Sequence, residues 1–528
     1  MARGPLALPK PQSSGAPAHF PWSQQFLVFA LFFAGLVLAH APLLRLPYFW
    51  DEAGYYVPVA HDLYLTGSPI PFSTPSNAHP PLIMAWLALI WHIFGYSVLV
   101  TRLAMLFVAA FSLLGLFRFS RFATNLSLAW VVVALVAAYP VFFVQSSLAQ
   151  VDLPAAGFTF WALLAYLEEH PGEMGLWFSA AALAKETAIM VPLALFGWHV
   201  LTSFLPAQWK RLRVPAARRI RLLHLLIPVV PLAAWFAYHR LKTGFFLGNP
   251  DFFRYNVSFT LNPLRIPLAF VVRLWQTFGY MGLYVLSIAT LLAMLNSLRA
   301  REKATCALIA PWQQSAFAFL LFAYLLFVSA VGGAVLARYL LPVLPVFILM
   351  AVSKLAEHMR YWKLVVAAIA MAFIGALFSS PPYAFSLEDN LAYRDYIVMH
   401  VDAARFLAMR EPDARVLTAW PASDELSRPG LGYVNQPFSV VRIEDFTTAQ
   451  IEHATAGRNN FDVALVFSTK YVPARPLFEE WNFWQRAKES FFGYHRDLKP
   501  NDIAQRMGGQ IVFHKESSGQ WIAVINFR

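Results

Sequence analysis

The stretch Pro81-Leu-Ile-Met-Ala-Trp-Leu-Ala-Leu-Ile-Trp-His-Ile-Phe94 decides the fold, because the direction of every later apolar run depends on whether it crosses a bilayer. Its length falls in the range of about 10 to 14 residues that is typical of interfacial or re-entrant segments, whereas a span needs about 20. Gly95 ends the run. We therefore predict a juxtamembrane helix that lies on one face of a membrane.

The composition of the chain indicates an integral membrane protein. Of its 528 residues, 58% are hydrophobic and 13% are charged, and the mean hydropathy is +0.52. A soluble domain would carry about a quarter charged residues. The net charge of +12 is concentrated in short loops between apolar runs, as membrane orientation requires, and no basic stripe with interleaved aromatics indicates nucleic-acid binding. The predicted fold class is a polytopic α-helical membrane protein.

With the 81–94 segment on the surface, about eleven other runs cross the membrane. They cover residues 26–44, 98–117, 128–144, 154–167, 176–184, 188–205, 222–238, 280–298, 317–331, 339–352 and 364–378. Every strongly basic short loop then falls on one side, which the excess of Lys and Arg identifies as cytoplasmic. Counting 81–94 as a span would move Arg118, Arg121 and the 210–221 cluster outside. We also predict a second surface helix at 267–279.

Three regions follow from this pattern. Residues 1–23, rich in Pro, Ser and Ala, are expected to form a disordered cytoplasmic tail. Residues 24–380 form the membrane domain, whose first run we interpret as a retained anchor. Residues 383–528 are expected to form a small extracytoplasmic α/β domain, with strands at 416–420, 461–467, 510–513 and 521–527 and helices at 402–409 and 448–454. The single Cys306 excludes an intramolecular disulfide.

The first outer loop carries the strongest candidates for chemistry. It contains Tyr48-Phe-Trp-Asp51-Glu52-Ala-Gly-Tyr55-Tyr56 and, before Pro81, Asn77-Ala-His79-Pro80. A helix N-terminus explains Asp51 and Glu52 as well as an active site does, because Asp is a preferred cap and Glu suits the helix dipole. At an active site, such a carboxylate could accept a proton from an attacking hydroxyl or amine. Tyr55 and Tyr56 are candidate contacts to a sugar or acceptor.

Further polar residues lie at the outer ends of other predicted spans. Asp152 either caps the helix that begins near Pro154 or provides a second carboxylate. Lys185 and Arg338 either extend to the lipid headgroups or stabilise a leaving phosphate. Tyr339 could add a hydroxyl donor to that phosphate. His79 could also donate, although a single loop histidine is more often only solvated.

The order of these motifs resembles one family. Asp51-Glu52 after the first span, His79-Pro-Pro-Leu before an apolar helix, an isolated Asp152, Ala-Lys185-Glu-Thr and Arg338-Tyr339-Leu-Leu-Pro together resemble the C-type membrane glycosyltransferases. The similar branch contains the protein O-mannosyltransferases and the lipid A aminoarabinose transferases. The aminoarabinose branch typically has an Arg shortly after Asp-Glu and a Lys before the Pro, where this chain has Gly54 and His79.

The resemblance implies an inverting transferase that takes a monosaccharide from a polyprenyl-phosphate donor. Asp51, Glu52 and Asp152 would then be catalytic. Lys185, Arg338, Tyr339 and His79 would face the donor phosphate. The acceptor would be an extracytoplasmic lipid, glycan or protein, and the membrane a bacterial inner membrane. No cofactor is certain, and a divalent cation stays possible.

Two alternative functions remain open from the sequence. Charges in mid-span and an inverted repeat would favour a transporter or flippase. The chain has few charges in mid-span and no visible repeat. A non-catalytic envelope assembly protein would use residues 383–528 to bind a partner.

Overall fold

The computed structural model describes residues 20–215, 218, 222–250, 252, 254, 262–300, 307–331, 333–473 and 481–527. The predicted disordered tail lies outside these residues up to position 19, and so does Cys306. Within the described chain, each of the eleven predicted spans overlaps at least one helix. The α-helices described before residue 380 are Trp22–His40, Val57–Thr66, Leu82–Phe94, Val98–Ala123, Leu126–Ala138, Pro140–Gln145, Asp152–Glu168, Pro171–Ala184, Met190–Ser203, Val229–Thr243, Arg265–Phe278, Leu283–Ala300, Pro311–Val331, Leu344–His358 and Trp362–Phe378.

By length and composition, five helical segments of the described chain can cross a membrane. They are Trp22–Leu43, Val98–Ala123, Leu222–Thr243, Arg265–Ser297 and Pro311–Val331. Leu82–Phe94, Leu126–Ala138 and Trp362–Phe378 are shorter apolar helices. The predicted class of polytopic helical membrane protein is confirmed, whereas the count of eleven spans stays a prediction because many of the helices are short.

The 81–94 segment forms a separate helix, Leu82–Phe94, of 13 residues. It ends at Gly95, whose φ of 81° suits a residue without a side chain. It packs against helices Val57–Thr66 and Val98–Ala123. The short length agrees with the predicted juxtamembrane helix, and its placement on the membrane surface stays a prediction.

Two predicted elements differ from the structure. The run 128–144 was expected to be one span, but its helix ends at Ala138 and a new helix begins at Pro140. Tyr139 is extended (ψ 125°) because proline disfavours helical backbone in the residue before it. The expected surface helix at 267–279 is Arg265–Phe278, and it continues through the turn Tyr280–Gly282 into Leu283–Ala300, with Met281 at a φ of 47°.

Helices Val98–Ala123 and Asp152–Glu168 approach each other closely through glycine. A Cβ at Gly115 would lie 2.7 Å from the indole of Trp161, and one at Gly157 would overlap the side chain of Ser112. Small residues at helix contacts let backbones come together where lipid supplies no hydrophobic driving force. This contact fixes the start of the second helix, where Asp152 lies.

The described part of 383–527 contains one five-stranded sheet in the order β2-β1-β3-β5-β4. Strands β1 (Arg415–Ala419), β2 (Ser439–Ile443) and β3 (Val463–Phe467) are parallel, while β5 (Gln520–Asn526) pairs antiparallel with β3 and with β4 (Gln510–Ser517). The four predicted strands are confirmed. Strand β2 was missed because it is a short edge strand with no fully buried residue. The helices around the sheet are Ala392–Arg410, Ala422–Ser427, Thr448–Ala456, Asn482–Phe492 and Pro500–Met507.

The sheet region packs directly on the first outer loop. Tyr48 and Phe49 from that loop share one buried apolar cluster with Tyr393 and Tyr396 of helix Ala392–Arg410. The phenyl ring of Phe49 lies 5.2 Å from the ring of Tyr396, edge to face. The C-terminal part therefore forms one wall around the segment that carries Asp51.

Candidate active site

Asp51 begins a helix in an unusual local conformation. The preceding Trp50 has a positive φ of 47°, and residues Glu52–Tyr56 form a π-helical turn that leads into Val57–Thr66. The Asp51 side chain makes no capping hydrogen bond to this helix, so its carboxylate is not used as a cap. With 32% of its side chain exposed, Asp51 remains accessible from the solvent side.

Arg338 is the centre of the site. It lies in the short 3₁₀ turn Ala337–Leu340, and only 2% of its side chain is exposed. Its Nη2 donates to Asp51 at 2.5 Å, its Nε lies 3.1 Å from a carboxylate oxygen of Asp152, and its Nη1 donates to Glu388. One guanidinium therefore joins the loop that carries Asp51, the start of helix Asp152–Glu168 and the segment after helix Trp362–Phe378.

Lys185 adds a second buried cation to this cluster. Its ammonium group donates to Asp152 and lies 3.5 Å from the centre of the Tyr339 ring. The guanidinium of Arg338 lies 5.6 Å from the same ring. Tyr339 therefore contacts the cations through its ring face, in a cation–π arrangement, where the sequence had suggested a hydroxyl donor.

Arg273 also approaches Tyr339, with its guanidinium 5.5 Å from the ring centre. It is fully buried. Among the described residues it donates to the side chain of Gln276 and to the carbonyls of Leu336 and Ala334, and no carboxylate pairs with it. The sequence analysis missed this residue, although an arginine inside an apolar amphipathic helix is a signal that could have found it.

Glu52 occupies a different environment from Asp51. It has no exposed surface, forms an ion pair with Arg102 and accepts the backbone N–H groups of Phe49 and Ala149. In this geometry the Glu52 carboxylate is held from several sides, away from solvent. Its predicted catalytic role stays a prediction. Arg102, in an otherwise apolar helix, was the sequence signal for this partner.

His79 is engaged by a residue that the sequence analysis missed. Its Nδ1 lies 3.1 Å from a carboxylate oxygen of Glu186, and its ring centre lies 5.7 Å from that of Tyr55 and 5.8 Å from that of Tyr56. Burial would raise the pKa of Glu186, but His79 and the neighbouring Lys185 together lower it to about 2. An anionic Glu186 therefore lies beside His79, and the predicted contact of His79 with the donor phosphate stays a prediction.

Glu388 and Asp389 form an acidic pair in the short turn Leu387–Asp389, which follows helix Trp362–Phe378. Burial raises the pKa of Glu388 although Arg338 lies beside it, because that guanidinium is shared by three carboxylates. Burial also raises the pKa of Asp389, to about 7, while a hydrogen bond of 2.6 Å from the Tyr280 hydroxyl opposes the shift. An acidic pair on the same predicted face as Asp51 was a usable signal that the sequence analysis did not take up.

The structure thus brings five predicted residues together, namely Asp51, Asp152, Lys185, Arg338 and Tyr339. Glu52 and His79 lie in separate ion pairs beside them. Tyr55 accepts a hydrogen bond of 3.0 Å from the backbone of Asn77, and burial raises its pKa to about 12, so its ring is neutral. Among the described residues, no group of three His, Cys, Asp or Glu side chains has the arrangement of a metal site.

Comparison with known proteins identifies the fold. No protein-family model matches the sequence, and no curated protein matches it significantly. Among solved structures, ArnT from Cupriavidus metallidurans bound to undecaprenyl phosphate superposes with a TM-score of 0.54 and 13% identity, over 96% of this chain and 98% of that chain. The apo state of the same protein gives 0.51 and 14%, over 95% and 98%. The chain therefore has the fold of these two structures over nearly the whole of both chains, as the resemblance of the sequence implied.

Proposed function

We propose that the chain is an inverting glycosyltransferase that transfers a monosaccharide from a polyprenyl phosphate to an extracytoplasmic acceptor. The observation that carries the proposal is the partly exposed carboxylate of Asp51 at the edge of a buried cluster of Lys185, Arg338 and Asp152. The full-length similarity of fold to an ArnT structure bound to undecaprenyl phosphate supports the same donor class.

In this mechanism the acceptor hydroxyl or amine attacks the anomeric carbon from the face opposite the phosphate. A new bond forms between the acceptor heteroatom and that carbon, and the bond from carbon to phosphate oxygen breaks with its electron pair. Asp51 accepts the acceptor proton. Arg338 holds the Asp51 carboxylate in place at 2.5 Å. The products are the glycosylated acceptor and polyprenyl phosphate.

The departing phosphate gains negative charge, which buried cations can stabilise. The positive charges of Lys185 and Arg338 are already partly compensated, because their described partners include three carboxylates, those of Asp51, Asp152 and Glu388. Arg273 pairs with no described carboxylate, so we propose that it joins Lys185 at the phosphate. Its buried guanidinium has a fixed fork of donors that suits phosphate oxygens.

The orientation of the chain is part of the proposal. Under the positive-inside rule the basic loops face the cytoplasm, so the site and the region 383–528 would lie outside a bacterial inner membrane. The acceptor would reach Asp51 from that side, and the prenyl chain would lie along the apolar helix Leu82–Phe94.

The test is the release of polyprenyl phosphate when the purified protein is incubated with a panel of polyprenyl-phosphate sugars and candidate acceptors. We expect turnover with one donor class and its loss in Asp51→Asn, whose amide cannot accept the proton. Asp413→Asn, the same change at an exposed loop residue, should behave as wild type. Full activity of folded Asp51→Asn would contradict the mechanism, and substrate transport into sealed vesicles without sugar transfer would favour a flippase.

A further inference from the structure

Trp50, the residue immediately before Asp51, has a backbone conformation that tryptophan seldom adopts. Its φ is 47°, in the left-handed region that favours glycine and is uncommon for bulky residues. Such a conformation is strained and persists only where the surroundings impose it. The structure must therefore contain groups that hold Trp50 in place.

The groups that contact the Trp50 ring come largely from the C-terminal part. The indole of Trp50 packs edge to face against the indole of Trp420, with ring centres 5.1 Å apart, and against Tyr396 at 5.8 Å. Trp420 directly follows strand β1. The sheet therefore presents the C-terminal end of a central parallel strand to the Asp51 helix.

The backbone next to Trp50 is held from the same side. The N–H of Tyr48 donates to the carbonyl of Leu431 at 3.2 Å, and the hydroxyl of Tyr433 donates to the carbonyl of Tyr48 at 3.0 Å. The chain is thus fixed two residues before Trp50 by groups more than 380 positions later in the sequence.

Trp420 also covers the helix on the other side of Asp51. A Cβ at Gly54 would lie 2.7 Å from atoms of the Trp420 indole, so the indole rests on the backbone of this residue. The N–H of Gly54 donates to the carbonyl of Trp50 at 2.9 Å. Trp420 therefore contacts both ends of the turn that carries Asp51.

We infer that Trp420 is a positioning residue for the transfer reaction: it holds Trp50 in its left-handed conformation and covers Gly54, and so directs the Asp51 carboxylate toward Arg338. The inference rests on the proposed function for its kinetic consequence. The C-terminal part would then complete the active site from above the membrane. Its contribution would be geometric, since among the described residues no hydrogen bond or cation–π contact joins Trp420 to the phosphate-site cations or to the Asp51 carboxylate.

The kinetic test uses Trp420→Ala, Trp420→Phe and the matched exposed control Trp209→Ala, assayed by release of polyprenyl phosphate. We expect kcat to fall about 10- to 100-fold in Trp420→Ala, because misplacing a catalytic group by about 1 Å has effects of that order. The KM for donor should stay within about twofold, since the cations proposed to face the phosphate, Lys185, Arg273 and Arg338, are unchanged. Trp420→Phe should recover much of kcat, and Trp209→Ala should match wild type.

A double variant separates positioning from packing. Glycine adopts positive φ without strain, so Trp50→Gly should recover part of the kcat that Trp420→Ala loses. If Trp420 only contributed packing, the fold-losses in kcat of Trp420→Ala and of Trp50→Gly, each measured alone, would multiply in the double variant. A multiplied loss, or a Trp420→Ala protein with wild-type kcat, would overturn the inference.

A measurement without substrate keeps the inference testable if no donor is turned over, an outcome that would count against the proposed function alone. Hydrogen exchange of the peptide covering residues 48–56 should be about tenfold faster in Trp420→Ala than in wild type or Trp209→Ala. Unchanged exchange in this peptide would overturn the positioning role, whatever the activity.

Discussion

Replacing Arg338 with methionine tests whether its guanidinium holds the three carboxylates together. The change removes a buried charge while keeping much of the side-chain volume. Asp152 would retain Lys185, and Asp51 would retain contact with solvent through its exposed third. Glu388, with only 4% of its side chain exposed, would be left with hydrogen bonds from Gln150 and Ser386. The cost of an unpaired charge therefore falls mainly on Glu388.

Breaking a buried ion pair by removing one partner costs about 3 to 5 kcal/mol. We expect Arg338→Met to lose stability of this order, measured as thermal unfolding of the purified protein in one detergent. Because burial raises the pKa of Glu388, this carboxyl can take up a proton and lower the cost at acidic pH. The loss should therefore be smaller at pH 5 than at pH 8.

A second substitution identifies the group that bears the cost. Glu388→Gln in the Arg338→Met background removes the unpaired charge and should recover most of the lost stability. Arg410→Met, at an exposed helix end, is the matched control and should change little. The reasoning is refuted if Arg338→Met is no less stable than Arg410→Met, or if Glu388→Gln makes the double variant less stable still.

Three further predictions concern neighbouring groups. Glu52→Gln should destabilise the protein by about 3 to 5 kcal/mol, because it leaves Arg102 buried without its ion-pair partner. In thermal unfolding, the double variant Glu52→Gln/Arg102→Met should be more stable than Glu52→Gln alone. Burial raises the pKa of Asp389 to about 7, so the folded state binds a proton that the unfolded state releases above about pH 4. The free energy of unfolding should therefore fall as the pH rises from about 4 to 7. Asp389→Asn should flatten this slope when unfolding is measured between pH 4 and 8. Tyr339→Phe should keep most of the transfer activity, because the Lys185 ammonium contacts the ring face, while Tyr339→Leu should lose it; equal loss in both would point to the hydroxyl.

The cluster around Arg338 was largely predictable from the sequence. Asp51, Asp152, Lys185 and Arg338 each stand at the end of an apolar run, and the distribution of basic loops places these ends on one face. If these ends lie on one face, the polar groups at the ends of neighbouring helices must lie close together there. That reasoning gives proximity but not partners, so it did not show that Arg338 would contact three carboxylates.

Other features depend on tertiary packing that has no local signal. Trp420 lies in the C-terminal part, and nothing in the residues around it indicates that its indole covers Gly54. The pairing of Glu52 with Arg102 was more predictable from the sequence, because a buried arginine in an apolar helix requires an anionic partner. Strand β2 was missed for the opposite reason, since an edge strand lacks the continuous apolar pattern of a buried one.

The ion pair between Asp51 and Arg338 joins residues 287 positions apart, which sets an order of assembly during synthesis. At about 5 to 20 residues per second, Asp51 would emerge from the ribosome about 15 to 60 s before its arginine exists. Glu388 follows a further 50 positions later, after helix Trp362–Phe378. Nascent chains that stop before residue 338 should therefore display the loop that carries Asp51 in a form open to protease, and protection of that loop would report that synthesis and insertion have passed Arg338.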